Sequence, residues 1–166
     1  YEDKVKEGYV LAKTENFPLT ITNDTEKNVI KIYYEKKAEA TVQYIDKTTG
    51  EIIEENTEDG YVGKKFKTIA KDFDGYVLVA EPEEKTTTMQ EEKIVLKYYY
   101  VKISSGVIEK HIDINSGELL ANETYKGLVG DEYKTKEKEI EGYDLVKEKY
   151  PENASGIMEE DAITVT

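Results

Sequence analysis

Cysteine, tryptophan and arginine are absent from the 166 residues. Without cysteine there is no disulfide, no thiolate zinc site and no cysteine nucleophile. Without arginine, all 23 basic residues are lysines, and the planar fork that grips phosphate or carboxylate in bidentate fashion is missing. Histidine occurs once, as His111, which excludes a histidine-rich metal site. No apolar run approaches the roughly 18 residues that a membrane-spanning helix needs, so no membrane insertion is expected. No charged-then-apolar leader opens the chain at Tyr1, and the sequence reads as an internal, soluble stretch of something longer. What the chain has in excess is negative charge, 36 acidic residues giving a net charge of -13. Binding to a polyanion by counterion release needs the opposite sign, so nucleic acid is excluded as a partner.

An internal repeat organises the rest. Gly8, Gly75 and Gly142 are spaced by 67 residues, and each is followed by a tyrosine, Tyr9, Tyr76 and Tyr143. The same offset pairs Gly50 with Gly117, Gly60 with Gly127 and Gly63 with Gly130, so nine of the eleven glycines fall at matched positions. Asp46 and Asp113, Phe66 and Tyr133, and Thr68 and Thr135 keep the register. Beyond the Gly-Tyr step the copies drift by a residue or two, as loops tolerate, and Met89 then matches Met158 while Ile94 and Leu96 match Ile163 and Val165. Such self-similarity decides the architecture before any element is assigned. We place the divisions near Lys37 and Lys102: the back half of one copy over 1–37, a complete copy over 38–102, and over 103–166 a copy that stops short of its closing tyrosine strand.

Local signals within a copy are those of strands and turns. Ala40 to Asp46 alternates and is rich in β-formers, Asp46 to Gly50 is a hairpin loop, and Glu51 to Thr57 returns. Gly50 and Gly117 are expected at positive φ in that turn. Val77 to Ala80 and Ile94 to Val101 read as further strands, with a short helix or irregular turn between Gly63 and Asp74. The prolines, Pro18, Pro82 and Pro151, all suit loops or edges. Because Tyr9, Tyr76 and Tyr143 recur in every copy, they are expected in the core.

The pattern seen twice is a strand ending Tyr/His-Ile-Asp, a Gly-Glu turn, Gly-x-Val-Gly, an aromatic-Lys-Thr, Gly-Tyr, then a loop closing on alternating apolar residues. It resembles the MucBP (mucin-binding protein) repeat over nearly the whole chain. The resemblance implies a β-rich fold of tandem β-grasp-like repeats and an extracellular, wall-attached parent protein of Gram-positive bacteria. It also implies an adhesin that binds host mucin or other glycoprotein glycans. Two positions depart within the copies: Glu109 stands where Val42 does, and His111 where Tyr44 does, so the inward face of that strand differs in the last copy. A 67-residue copy buries only about 60% of its unfolded surface, so neighbours must help to stabilise it, and a stiff, elongated, monomeric rod is expected.

No enzyme is expected. Asp113-x-Asn115-x-Gly117 fits a turn better than a calcium loop, whose glycine comes one position later. Paired acids such as Glu54 with Glu55 and Glu159 with Glu160 are inevitable at this acidity, and no Walker loop, zinc-helix motif or nucleophile elbow is present. No catalytic residue, metal ligand or cofactor is therefore expected. A tyrosine ring beside a carboxylate or amide suits a sugar, and the rings outside the repeated positions, Tyr61, Tyr125 and Tyr150, are the candidate glycan contacts. The alternative is a structural stalk that projects another domain from the cell wall and has no ligand of its own.

Overall fold

The computed structural model describes residues 6–166. Twelve strands make up nearly all of its regular structure: β1 (Tyr9–Glu15), β2 (Lys31–Asp46), β3 (Ile52–Tyr61), β4 (Lys65–Lys67), β5 (Tyr76–Ala80), β6 (Thr86–Thr88), β7 (Ile94–Lys102), β8 (Val107–Ile112), β9 (Leu119–Tyr125), β10 (Glu132–Lys134), β11 (Ser155–Ile157) and β12 (Ile163–Val165). The β-rich class expected from the sequence is what is found. Between Gly63 and Asp74 the irregular alternative holds: β4 is followed by coil and a turn, without a helix. No helix among the described residues is long and apolar enough to cross a membrane.

The period of the sequence is a period of the hydrogen bonds. In the hairpin turns, Asp46 N–H donates to the Glu51 carbonyl at 2.9 Å and Gly50 N–H to Asp46 at 2.8 Å; Asp113, Glu118 and Gly117 repeat both bonds at 2.9 and 2.8 Å. Gly50 and Gly117 have φ of 77° and 75°, a left-handed conformation that a side chain would strain. A second clip joins β4 to β6 with Phe66 opposite Thr87, and β10 to β11 with Tyr133 opposite Gly156. Beside it, Gly63 N–H bonds the Met89 carbonyl and Gly130 N–H that of Met158, both at 2.9 Å. Those methionines lie against Gly60 and Gly127, where an added Cβ would collide with the thioether, which accounts for glycine at both positions.

The Gly-Tyr strands also pair in one register. β1 lies antiparallel to the first half of β2, Tyr9 opposite Lys36 and Leu11 opposite Tyr34; β5 lies antiparallel to the end of β7, Tyr76 opposite Lys102 and Leu78 opposite Tyr100. Both pairings slip at the same step, between Leu11 and Lys13 and between Leu78 and Ala80. The first half of β2 is therefore the closing strand of one copy and its second half the opening strand of the next, which is why it runs for 16 residues where the sequence suggested a start at Ala40. In the next junction Ser104 is one residue extra, and the strand breaks there between β7 and β8, with Gly106 at φ 95°.

Each junction carries the same bonds. Lys36 accepts Val62 N–H at 2.9 Å and its amine pairs with Glu91; Lys102 accepts Val129 N–H at 2.9 Å and its amine pairs with Glu160. In the sheet containing β2 the strand order is β1-β2-β7-β5, with β3 also on β2; a second sheet has the order β12-β8-β9, β12 running parallel to β8. By contacts the chain divides into two compact units, residues up to Tyr44 with Ile53–Ala70 and Pro82–Tyr98, and Ile45–Ile52 with Lys71–Glu81 and Tyr99–Thr166.

The core of the complete copy is aromatic. Tyr98 and Tyr100 are 0% and 1% exposed, Tyr44 stacks on Tyr98 with ring centroids 5.4 Å apart, and Phe73 meets Tyr100 edge-on at 5.1 Å. In the last copy Val107, Tyr133, Met158 and Val165 form the buried cluster, with Tyr125 and Ile163 packed against it. The recurring Tyr9, Tyr76 and Tyr143 are not core residues, contrary to the expectation from their repetition: Tyr143 is 47% exposed and the other two are half-buried. β1 and β5 end the strand order, so their rings sit at an edge, where Lys6 lies over Tyr9 and Lys102 over Tyr76. In the first two copies repetition at this position preserves an edge strand, not a buried ring.

Candidate functional site

The last copy contains the two features that break the repeat. The first is a buried carboxylate. Glu109 is 5% exposed in β8, and Tyr125 at the end of β9 donates its hydroxyl hydrogen to Glu109 Oε2 at 2.6 Å. His111 Nε2 stands 3.2 Å from Glu109 Oε1, yet among the described residues it has no partner in hydrogen-bonding geometry. In register, Glu109 lies directly opposite Glu123, an arrangement of like charges that would destabilise the strand pair if left alone. Lys138 answers it with a 2.9 Å bond to Glu123, which holds the Glu123 carboxyl below the usual range. The Tyr125 hydroxyl is pushed up to about 12 by its bond to Glu109, by burial and by the two carboxylates. The cluster is thus a polar network that, among the described residues, leaves His111 Nε2 without a hydrogen bond.

The second feature is a cleft of about 830 Å³ in the same copy. Glu109 and His111 lie on its β8 wall, and Ile140, Tyr143, Leu145 and Tyr150 line the segment facing it. That segment, from Gly142 to Val146, is the counterpart of β5 but forms no strand.

A family model for the MucBP domain matches the chain twice, over residues 39–101 and 107–166. The chain belongs to the MucBP domain family. One relative is internalin J of Listeria monocytogenes serotype 4b (strain F2365), 34% identical over 167 residues; another is internalin J of Listeria monocytogenes serovar 1/2a (strain ATCC BAA-679 / EGD-e), 32% identical over 165. The matches take in 96% and 95% of this chain but only 18% and 19% of the relatives, so the chain spans less than a fifth of their length. Among solved structures, the crystal structure of Mub-RV is 14% identical and covers 76% of this chain and 95% of that one, with a TM-score of 0.31.

The two MucBP copies place the sequence-derived candidates apart. Tyr61, 37% exposed, ends β3 in one compact unit; Tyr125 and Tyr150 belong to the other. Tyr150, 43% exposed, lines the cleft beside Pro151, whereas the Tyr125 hydroxyl is bonded to Glu109, itself on the cleft lining. The Asp113 carboxylate is committed to its turn, accepting from Asn115 N–H at 2.9 Å and from the Ser116 hydroxyl at 2.6 Å, and these bonds hold it below the usual carboxylate range. Among the described residues no group of three or more His, Asp or Glu is placed to hold a metal. Sequence reading missed the Glu109–Tyr125 bond. The signal was present: where the complete copy has Val42 and Glu58, the last has Glu109 and Tyr125, so the acid and its partner position changed together.

Proposed function

We propose that these MucBP copies are a non-enzymatic repeat region of an adhesin on the surface or wall of a Gram-positive bacterium, acting outside the cell and binding host mucin or other glycoprotein glycans. The observation that carries this reading is the family match over both copies, together with a body in which the repeated residues serve turns, clips and strand pairs. Contact then falls to rings outside that framework. Tyr61 and Tyr150 are exposed rings suited to the apolar side of a sugar, whereas Tyr125 has its hydroxyl committed to Glu109.

A second reading is favoured by the charge. At -13 the chain repels sialylated or sulfated glycans within a Debye length of about 8 Å in physiological salt. A stalk, in the form of a stiff monomeric rod that projects another domain, requires no glycan affinity. Binding of the 166-residue chain to mucin-coated plates and to arrays of neutral and sialylated glycans separates the two. Saturable binding that falls at least tenfold in Tyr61→Ala or Tyr150→Ala supports the adhesin; no signal at millimolar glycan leaves the stalk.

A further inference from the structure

The two copies differ where the β2–β3 hairpin meets β4 and the residues after it. In the complete copy this is a groove of about 480 Å³, within the roughly 300–1,000 Å³ typical of small-ligand sites. Buried Val42 and Phe66 form its floor; exposed Asn56 and Glu58, on one face of β3, flank it on one side, and Thr68 and Ile69 on the other. By the 67-residue offset the last copy keeps the aromatic ring at Tyr133 and the threonine at Thr135. It puts Glu109, Glu123, Tyr125 and Lys136 where the complete copy has Val42, Asn56, Glu58 and Ile69.

In the last copy the changed side chains bond to one another. Tyr125 packs against the buried cluster that contains Tyr133, its hydroxyl donates to Glu109 at 2.6 Å, and Lys138 closes on Glu123 at 2.9 Å. The complete copy has the corresponding floor, with Phe66 4% and Met89 1% exposed, but a carboxylate, Glu58, replaces the ring, and Val42 replaces the acid that the ring bonds. Glu58 pairs with Lys64 at 3.5 Å, and both side chains stay about half exposed. Asn56 donates one N–H to Glu54 Oε1 at 2.8 Å, and a carboxamide so used keeps an acceptor oxygen and a second donor.

We propose that the groove of the complete copy seats one neutral pyranose ring of a glycan. The sugar takes the position that the Tyr125 ring fills in the last copy, its apolar face on Val42 and Phe66 beside Ile69. Its hydroxyls donate to the Glu58 carboxylate and pair with the Asn56 carboxamide. Two polar groups at alternate positions of one strand suit a ring with adjacent hydroxyls, where a phenol has only one. The Glu58 carboxylate repels sialylated and sulfated sugars, so the same residues that hold a neutral ring reject an anionic one. This inference rests on the glycan reading and assigns the sugar to the complete copy, since in the last copy the chain's own side chains take the place.

The test is to titrate the 166-residue chain with methyl β-galactoside, N-acetylglucosamine and sialic acid to tens of millimolar, following backbone and asparagine side-chain amides by NMR, beside an array of neutral glycans. The neutral sugars are expected to give saturable shifts over 56–58 and 66–69, the Asn56 side-chain amide included, with no comparable shifts over 123–125 and 133–136 and none from sialic acid. Val42→Glu with Glu58→Tyr, the pair found in the last copy, is expected to weaken binding at least tenfold. Asn56→Ala, at an exposed position that folding tolerates, is expected to weaken it several-fold and serves if the double variant does not fold. Saturable array binding without shifts in the groove, unchanged affinity in the folded variants, or equal shifts from sialic acid overturns this proposal and leaves the glycan reading standing. Absence of saturable binding to any glycan overturns both.

Discussion

Tyr98 and Tyr100 sit two residues apart on one face of β7, equally buried, yet their hydroxyls have opposite fates. The Tyr100 hydroxyl donates to the Lys71 carbonyl at 2.7 Å and accepts Lys71 N–H at 3.2 Å. Among the described residues the Tyr98 hydroxyl is buried without a hydrogen-bond partner. An unsatisfied buried polar group costs about 1–3 kcal/mol, whereas a made bond contributes about 1 kcal/mol net. Replacing Tyr98 by Phe keeps the stack on Tyr44 and removes the unmet desolvation cost, so Tyr98→Phe is expected to stabilise by about 1 kcal/mol. Tyr100→Phe removes two bonds and is expected to destabilise by about 2 kcal/mol. In urea, with a slope of about 1–3 kcal/mol per molar, that difference separates the midpoints by about 1 M or more, in opposite directions from the parent chain. Equal losses in both variants would refute the reasoning, because they would show that both hydroxyls are satisfied in solution.

The network in the last copy makes further predictions. Tyr125→Phe removes the hydroxyl that donates to the buried Glu109 and is expected to cost about 2 kcal/mol, most of it recovered in the double variant with Glu109→Gln, as a double-mutant cycle on urea midpoints would read. Because the folded state holds the Tyr125 proton up to about 12 while the unfolded chain releases it near 10, this hydroxyl's stabilising contribution is complete below pH 10 and is lost as pH rises toward 12. Parent and Tyr125→Phe midpoints should therefore converge over that range, and a constant separation would contradict it. Gly63→Ala meets nothing within 4 Å and is expected to cost only the roughly 1–2 kcal/mol of a left-handed backbone; Gly106→Ala adds a Cβ 2.6 Å from the Tyr125 carbonyl oxygen and is expected to cost clearly more in the same assay.

Much of the fold was legible because glycine spacing records backbone geometry directly. Gly50 and Gly117 mark left-handed turns, and Gly60 and Gly127 mark places where methionine leaves no room, so a matched set of glycines implied matched chain paths. Tyrosine spacing misled for the converse reason. A ring is amphipathic, so it recurs equally well at a sheet edge, as Tyr9 and Tyr76 do, or in exposed coil, as Tyr143 does, and only the strand order distinguishes edge from core. The length of β2 was hidden because the closing strand of one copy and the opening strand of the next each carry their own alternation, and nothing local shows that the two are joined without a turn. At the candidate site, the Glu109 substitution was visible but its satisfaction by Tyr125 lay across a strand pair, a distance that a one-dimensional pattern does not measure.

The twin junctions, in which a strand-ending lysine accepts a bond from the next copy's Val-Gly loop and pairs with its acid, have a consequence for how such a gene changes size. Since both joins share these bonds, although the second is broken at Ser104, recombination that adds or deletes a whole period re-creates the lysine clip. Variation in copy number is therefore open to selection without any new complementary surface having to evolve.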